Sequence, residues 1–420
     1  MKGQAQKDLK NNYLVNILDG GFFGFGLGFA SFTAILPLFV SHMTNSAILI
    51  GLIPAIHSTG WQIPQLFTAQ RVSRLKNFKP FVLFMTVHER LPYLGLALVA
   101  WFLPSMGTKL ALIITFILLI WQGLGAGFTA NAWQNLIGKV IPGDYLATFF
   151  GMQTAAANLL GSAGAVIAGI ILDQYSSPHN FTFCFLITSV LLVVSFYFLS
   201  RNRETCRELP LNTENRQDFW KKVRKYLRID RNFRWFLVTR MLFLFGMMSF
   251  AFFIVYAVKY HNMSDITAGL MTGCLFITQV VANPLLGWIA DRLGRKGVLE
   301  IGALAAMLSS LLAWLAPSLG WFYLVFILDG VANTAFWTIG MAFSMDFGPE
   351  EERPTYVGMS NTLIAPATIL APFLAGWLAD TRGYPATFAA SALMGLLTAV
   401  LMHFFVHDTR LSLSLRDRAA

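Results

Sequence analysis

The chain has 420 residues, 56% of them hydrophobic and 12% charged, with a formal net charge of +10. Soluble domains carry about twice that charged fraction, and a single core stops growing at roughly 250 to 300 residues, so water alone cannot be the solvent for this composition. The 31 Lys and Arg residues lie almost wholly between apolar runs, with no basic stripe interleaved with stacking aromatics, which argues against a nucleic-acid partner and for a lipid bilayer.

A helix needs about 20 mostly apolar residues to cross a bilayer, because every backbone amide must be satisfied within the segment. Twelve segments qualify in chain order: 14–40, 47–69, 81–103, 110–137, 147–172 and 181–200, then 235–258, 266–290, 298–316, 321–345, 355–379 and 386–406. The first is too long for a signal-peptide core and ends in no small-residue cleavage pattern, so it reads as a retained helix. Lys2, Lys7 and Lys10 precede it, Arg71, Arg74, Lys76 and Lys79 follow the second segment, and eleven basic residues crowd 201–234. The opposite loops offer only Lys109, Lys259 and Arg382. This bias puts both termini and the central stretch on the cytoplasmic side of a plasma membrane, read as a bacterial inner membrane. The expected organisation is a six-helix bundle at 1–200, a cytoplasmic linker at 201–234 and a second six-helix bundle at 235–420. The basic linker reads as a topology signal or as a lipid- or partner-binding patch. Cys184, Cys206 and Cys274 lack the close spacing of a metal site and imply no disulfide framework.

An ionisable side chain inside the hydrocarbon layer is costly unless paired or hydrated, which makes each one a functional candidate. The first segment carries Asp19 and a run of rings, Phe22, Phe23, Phe25, Phe29 and Phe32, set among glycines; aromatic walls suit an apolar or amphipathic solute. His57 in the second segment reads as a packing or a titrating group. In the third, Glu89 and Arg90 follow His88; adjacent residues point in different directions on a helix, so each needs an interhelical partner. Arg240 in the seventh segment lies at a depth comparable to Asp19. The two are expected either to pair across the interface as an inner gate or to pair locally with loop charges. Asp329 in the tenth lies about eight residues, or roughly 12 Å, from the outer end. It reads as a proton carrier or as a carboxylate hydrogen-bonded for packing; burial disfavours the charged form of a carboxylate, the property a carrier uses. The candidate proton or gate residues are therefore Asp19, Glu89, Arg90, Arg240 and Asp329. Candidate cavity-lining residues are Phe29, Gln122, Asn131, Asn158, Asn333 and Asn361, with Gln279 and Asn283 as further polar groups.

The chain also repeats itself. A shift of 207 places Gly123 on Gly330, Gln122 on Asp329, Pro142 on Pro349, Gly151 and Met152 on Gly358 and Met359, Gly169 on Gly376 and Asp173 on Asp380. A shift of 213 lays Ala100, Trp101, Pro104, Ser105 and Gly107 over Ala313, Trp314, Pro317, Ser318 and Gly320. Six segments separate the copies, so both have one orientation and the repeat is parallel, with a central cavity expected between halves. Small residues let helix backbones approach and slide. Gly151, Gly161, Gly164 and Gly169 in the fifth segment and Gly358, Ala371, Ala375 and Gly376 in the eleventh read as ordinary packing or as the surface on which the halves rock.

The loop after the eighth segment reads Gly287, Trp288, Ile289, Ala290, Asp291, Arg292, Leu293, Gly294, Arg295, Lys296. It resembles the signature loop G-x-x-x-D-R-x-G-R-K of the major facilitator superfamily, and with the twelve segments and the parallel repeat the resemblance covers the whole chain. It implies an all-α membrane fold of two parallel-repeat six-helix bundles around a central cavity, working by alternating access without a cofactor. Gly287, Asp291, Arg292, Gly294, Arg295 and Lys296 are then a conformational latch. Asp291 can accept from Arg295 or face the positive N-terminus of the eleventh segment near Thr355, a contact that favours the outward-open state. In the first half Gln70 stands where Asp291 does and both glycines are absent, so that latch is weaker, or Glu89 or Asp144 substitutes. Gln122, Gly123, Leu124, Gly125, Ala126 and Gly127 are similar to the R-x-x-Q-G-x-G-A stretch of proton-linked members, with Leu119 at the arginine position. Ala165 stands where drug antiporters carry the proline of G-P-x-x-G-G, although Ala371 to Gly376 keep a proline at Pro372. These departures count against proton-coupled drug export without excluding it.

No Walker loop supplies ATP and no H-E-x-x-H supplies a metal site, so a secondary transporter is expected and a membrane-embedded enzyme or a transporter-like sensor is not. Phe-rich walls favour efflux of a hydrophobic or amphipathic compound, the alternative being an uptake permease or facilitator for a small metabolite. The expected partners are the bilayer, a small-molecule substrate and protons as coupling ion, and the expected state is a monomer.

Overall fold

A computed structural model describes residues 2–32, 34–44, 46–205, 216–263 and 265–408. All regular structure among them is helical: α1 (Lys2–Phe29), α2 (Ile35–Ser41), α3 (Ala47–Gln62), α4 (Pro64–Ser73), α5 (Lys79–Met106), α6 (Thr108–Val140), α7 (Leu146–Gln174), α8 (His179–Ser200), α9 (Arg216–Ile229), α10 (Arg231–Gly246), α11 (Phe250–His261), α12 (Asp265–Leu293), α13 (Arg295–Leu315), α14 (Trp321–Thr334), α15 (Gly340–Ser344), α16 (Arg353–Thr362), α17 (Ala365–Arg382) and α18 (Tyr384–Phe405). Ten described spans, from Lys79–Met106 to Tyr384–Phe405, are long and apolar enough to cross a membrane. The two segments ahead of them form α1 with α2 and α3 with α4.

Several expected spans are broken where a backbone hydrogen bond cannot continue. The first was expected unbroken over 14–40, but it starts in the polar N-terminus and stops at Phe29. Pro37 lacks the N–H that a continuous helix would need there, and the Ser31 hydroxyl accepts the N–H groups of Ala34 and Ile35 at 3.1 and 3.2 Å, restarting the chain as α2. Pro64 interrupts the second span between α3 and α4. In the seventh, Ser249 ends the α10 break by donating its N–H to Ser391 at 3.1 Å and sharing a 2.7 Å hydroxyl bond with Ser310. A π-helical turn at Ala335–Ile339 divides α14 from α15.

The chain divides into two compact units: Met1–Pro142, Ala156–Asn212 and Val357–Thr362 form the first, and Gly143–Ala155, Thr213–Tyr356 and Leu363–Ala420 the second. Each unit thus takes in a short stretch from the other half of the sequence. In the first, α1 packs on α8, α5 on α6 and α8, and α3 on α6. Its core gathers Phe29, Phe39, Phe181, Phe185 and Tyr93. Phe29 is accordingly a core ring, tilted against Phe25 at 5.6 Å, and does not line an open cavity. Gly24 and Gly28 of α1 press on the backbone of Ala157 and of Gly161 in α7, an approach any side chain would block. In the second unit α13 packs on α18 and α14, α10 on α18, and α12 on α14.

The stretch read as a linker contains α9, an amphipathic helix that buries Phe219 and Val223 and exposes Lys221, Arg224, Lys225 and Arg228. Tyr226 stacks on Tyr356 at 5.1 Å, and Lys222 meets Glu352 at 3.4 Å, tying α9 to the start of α16. Cys206 and Arg207 lie outside the described residues.

Candidate functional site

The signature loop folds as the junction of α12 and α13. Gly294 adopts φ 104°, a conformation that L side chains rarely take, and this lets α13 start immediately after α12 ends. Asp291 lies at the end of α12. Its Oδ2 accepts the N–H of Thr148 at 2.7 Å and its Oδ1 that of Ala147 at 3.1 Å, so the carboxylate rests on the positive N-terminus of α7. The sequence pointed to the start of the eleventh segment near Thr355; the helix that receives Asp291 is α7. Gly287 decides this, because it sits one turn before Asp291 against the carbonyl of Ala147 and the Cα of Thr148, where no larger residue would allow the approach.

Arg295 is the hub behind the carboxylate. Fully buried, it donates to Asp291 Oδ1 at 3.1 Å and also to Asp346 Oδ1 at 2.6 Å and to the carbonyls of Ala342 and Gly143 at 2.9 and 2.8 Å. A guanidinium deprived of water requires such a set of acceptors. Arg292 turns the other way and stacks on Trp288 at 4.3 Å, while Lys296 donates to the His403 carbonyl at 2.7 Å. The six motif residues therefore split. Gly287, Asp291 and Arg295 form the contact with α7, Gly294 sets the turn, and Arg292 and Lys296 support the outside. Asp346 was missed by sequence reading. Under the 207 shift it falls on Lys139, an opposite charge, so the repeat concealed it.

In the first unit the loop after α4 is anchored otherwise. Glu204 accepts the N–H groups of Phe78 and Lys79 at 2.8 and 2.9 Å and pairs with Lys139 at 2.9 Å, capping α5. Glu89, one expected substitute, lies in the membrane cluster described below; Asp144, the other, lies on the exposed turn before α7.

A second polar contact fills the break between α3 and α4. The Thr362 hydroxyl accepts the N–H of Leu66 at 3.0 Å and lies 2.9 Å from the Gln62 carbonyl, so it is inserted into what would be an i to i−4 helical bond. Asn361 donates to Gln65 Oε1 at 2.7 Å and Asn131 to the Gln65 carbonyl at 2.9 Å. Asn131 and Asn361, expected to line a cavity, are instead buried in this interlock, because the backbone groups freed at the break need them. Gly151 and Gly358, matched by the repeat, have matching surroundings. Gly151 abuts the Asn283 carbonyl in α12, and Gly358 lies against the Gln65 carbonyl and Leu66 in α4. Gly169 and Gly376, also matched, have nothing within 4 Å of the space a Cβ would fill, so these two positions set no close approach.

The charged residues are placed as follows. Asp19 Oδ1 accepts from Ser195 Oγ at 2.6 Å and meets Arg90 Nη2 at 3.3 Å; the cation it finds is Arg90, within its own unit, and not the expected Arg240. Glu89 Oε2 is 3.7 Å from Arg90 Nη1 and accepts from Thr86 at 3.3 Å. Arg240 is buried in the second unit with its guanidinium 5.0 Å from the Phe336 ring centre and 5.8 Å from that of Phe236. Gln122 is buried, its Oε1 3.1 Å from His57 Nδ1, while the His57 ring stacks on Phe32 at 3.9 Å. Asp329, the repeat counterpart of Gln122, is 2% exposed, and its Oδ2 has no hydrogen-bond partner among the described residues. Asn333, one turn on, and Asn158 in α7 are half-buried. No group of three or more His, Cys, Asp or Glu able to hold a metal occurs among the described residues.

Comparison with known proteins bears on this arrangement. The chain is 30% identical over 141 residues to multidrug resistance protein 1 of Bacillus subtilis, a match covering 33% of this chain and only 36% of that protein. It is 23% identical over 398 residues to an uncharacterized MFS-type transporter of Methanocaldococcus jannaschii, covering 90% of this chain and 93% of the relative. In fold it resembles a bacterial homologue of the iron transporter ferroportin in its outward-facing state, with a TM-score of 0.73 at 13% identity over 95% of this chain and 99% of the other. The profile of the Major Facilitator Superfamily matches residues 86–260 and 239–418, most of the sequence. With the signature loop and the all-helical architecture in place, the chain belongs to the major facilitator superfamily.

Proposed function

We propose that this chain is a secondary active transporter that moves a small solute across the membrane by alternating access, and that it exports a hydrophobic or amphipathic compound in exchange for protons. The observation that carries the coupling is Asp329, a buried carboxylate with one oxygen left without a hydrogen-bond partner. A bare charge sealed from water costs several kcal/mol, so such a group takes up a proton when closed in and yields it when water reaches it. The contact of Asp291 with α7 acts as the latch: it exists only while the end of α12 and the start of α7 are together, and its loss accompanies opening on that side. The likeness to a multidrug resistance protein over a third of the chain supports export. The basic residues of the termini and of the stretch before α10 support a cytoplasmic position for both; in this reading the membrane is a bacterial inner membrane, the halves at 1–200 and 235–420 are the rocking bodies, and the working unit is a monomer. The test is transport of a fluorescent amphipathic cation by protein reconstituted in liposomes under an imposed pH gradient. Asp329→Asn should abolish the pH-driven component and spare passive exchange; undiminished pH-driven transport in that variant would overturn the reading.

Uptake of a small metabolite is the second reading, favoured by the polar pair of His57 and Gln122 within the first unit. Counterflow of labelled metabolites into preloaded liposomes, with no export of amphipathic cations, would select it.

A further inference from the structure

The first unit holds a cluster of buried charges that does not balance. Two carboxylates, Asp19 on α1 and Glu89 on α5, share one guanidinium, that of Arg90. Ser195 of α8 completes it, donating its hydroxyl to Asp19 at 2.6 Å and receiving Arg90 Nη2 at 3.0 Å. Arg90 Nε is spent on the Leu192 carbonyl at 3.3 Å, and its Cζ lies 5.1 Å from the centre of the Phe23 ring. Among the described residues the neighbouring helices bring no second cation to the cluster. The basic residues of α6, Lys109 and Lys139, lie at its two ends, and His88 turns toward Trp121, which donates its indole N–H to Nδ1 at 3.3 Å. The basic residues of α1, Lys2, Lys7 and Lys10, lie two turns or more before Asp19 in the sequence, and α8 carries only His179 at its far end. Tyr93, one turn after Glu89, is buried, and its hydroxyl lacks a hydrogen-bond partner among the described residues.

With both carboxylates ionised the cluster would carry one uncompensated negative charge about 15 Å into α5, a position where an unpaired charge is strongly disfavoured. The two acids are not equivalent. Asp19 has a short hydroxyl bond and a hydrogen-bonded guanidinium, whereas Glu89 has one hydroxyl at 3.3 Å and the guanidinium at 3.7 Å. We propose that this cluster is a proton-binding site in which Glu89 carries one exchangeable proton while Arg90 is committed to Asp19. A small metal cation is a poor substitute, because the guanidinium already occupies the space between the acids and repels a second charge. Exchange follows from geometry. When α1 shifts so that Asp19 leaves Arg90, the guanidinium closes on Glu89, the O–H bond of Glu89 gives its proton to water, and Asp19 takes up a proton or meets water in its place. The site is separate from Asp329 and does not depend on the role assigned there.

Infrared difference spectra of the purified full-length protein in lipid nanodiscs, recorded between acid and neutral pH in sodium-free buffer, test this directly. A C=O stretching band of a protonated carboxyl, shifting in heavy water, is expected to lose one carboxyl equivalent in Glu89→Gln. The same loss is expected in Asp19→Asn, where Glu89 is untouched but Arg90 is released to neutralise it. Thr86→Val, which removes the hydroxyl donated to Glu89, should move the band in frequency and keep its intensity, and it guards against a folding defect in the charge variants. Persistence of the full band in Glu89→Gln or in Asp19→Asn overturns the proposal. So does a band lost entirely in Asp329→Asn, or one erased by sodium at constant pH. Because Asp329→Asn is scored in both experiments, failure of this site and failure of the Asp329 reading give different results.

Discussion

Asp291 meets two backbone N–H groups at the start of α7 and a buried arginine, so its charge is used three times over. Asp291→Asn keeps the shape and removes the charge, weakening both dipole contacts and leaving Arg295 with Asp346 as its remaining carboxylate. We expect a loss of about 2 kcal/mol, the usual scale for a hydrogen bond to a charged group, read as a lower midpoint of thermal unfolding for the purified protein. An unchanged midpoint would mean that the contact with α7 contributes nothing to holding this arrangement. The acid and the arginine were legible because they lie four residues apart in one motif, a spacing that brings side chains together on any helix. Asp346 was not legible, since it comes 51 residues later and its approach depends on how α13 lies against the end of α15.

At the scale of elements, glycines separate into those that set a crossing and those that do not. Gly151 and Gly287 face carbonyl groups of α12 and α7 across distances that no Cβ tolerates, whereas Gly169 and Gly376 face open space. Gly151→Ala and Gly287→Ala are therefore expected to cost about 1 to 3 kcal/mol through overpacking, and Gly169→Ala and Gly376→Ala to leave the unfolding midpoint unchanged. Equal effects at all four positions would contradict the assigned crossings. The repeat matched Gly151 with Gly358 and Gly169 with Gly376 but did not show which of them touch anything. Likewise the second span, taken from the sequence as one segment, is broken at Pro64, and Thr362, nearly three hundred residues away, fills the break. A freed backbone amide takes whichever polar side chain packing delivers, and that choice is made outside the local sequence.

At the scale of the whole molecule, the basic loops make a sharp expectation about sidedness. In a background freed of Cys184, Cys206 and Cys274, cysteines placed at Lys76 and Lys225 should react with a membrane-impermeant maleimide only in inside-out vesicles. Cysteines at Lys109 and Lys259 should react only in intact cells, and the reverse pattern would invert the proposed topology. The sequence by itself determined the helical class, the membrane setting, the parallel repeat and the signature motif. Each of these is written in the composition of one segment or in the likeness of two, so no distant partner has to be known. Only the tertiary structure decided that Asp291 rests on α7, that Asp19 meets Arg90, that Asn131 and Asn361 are buried in an interlock, and that Glu89 is left with a share of a cation already taken. Those outcomes depend on the rotation of each helix about its axis. One residue of register turns a side chain by about 100° and exchanges one neighbour for another.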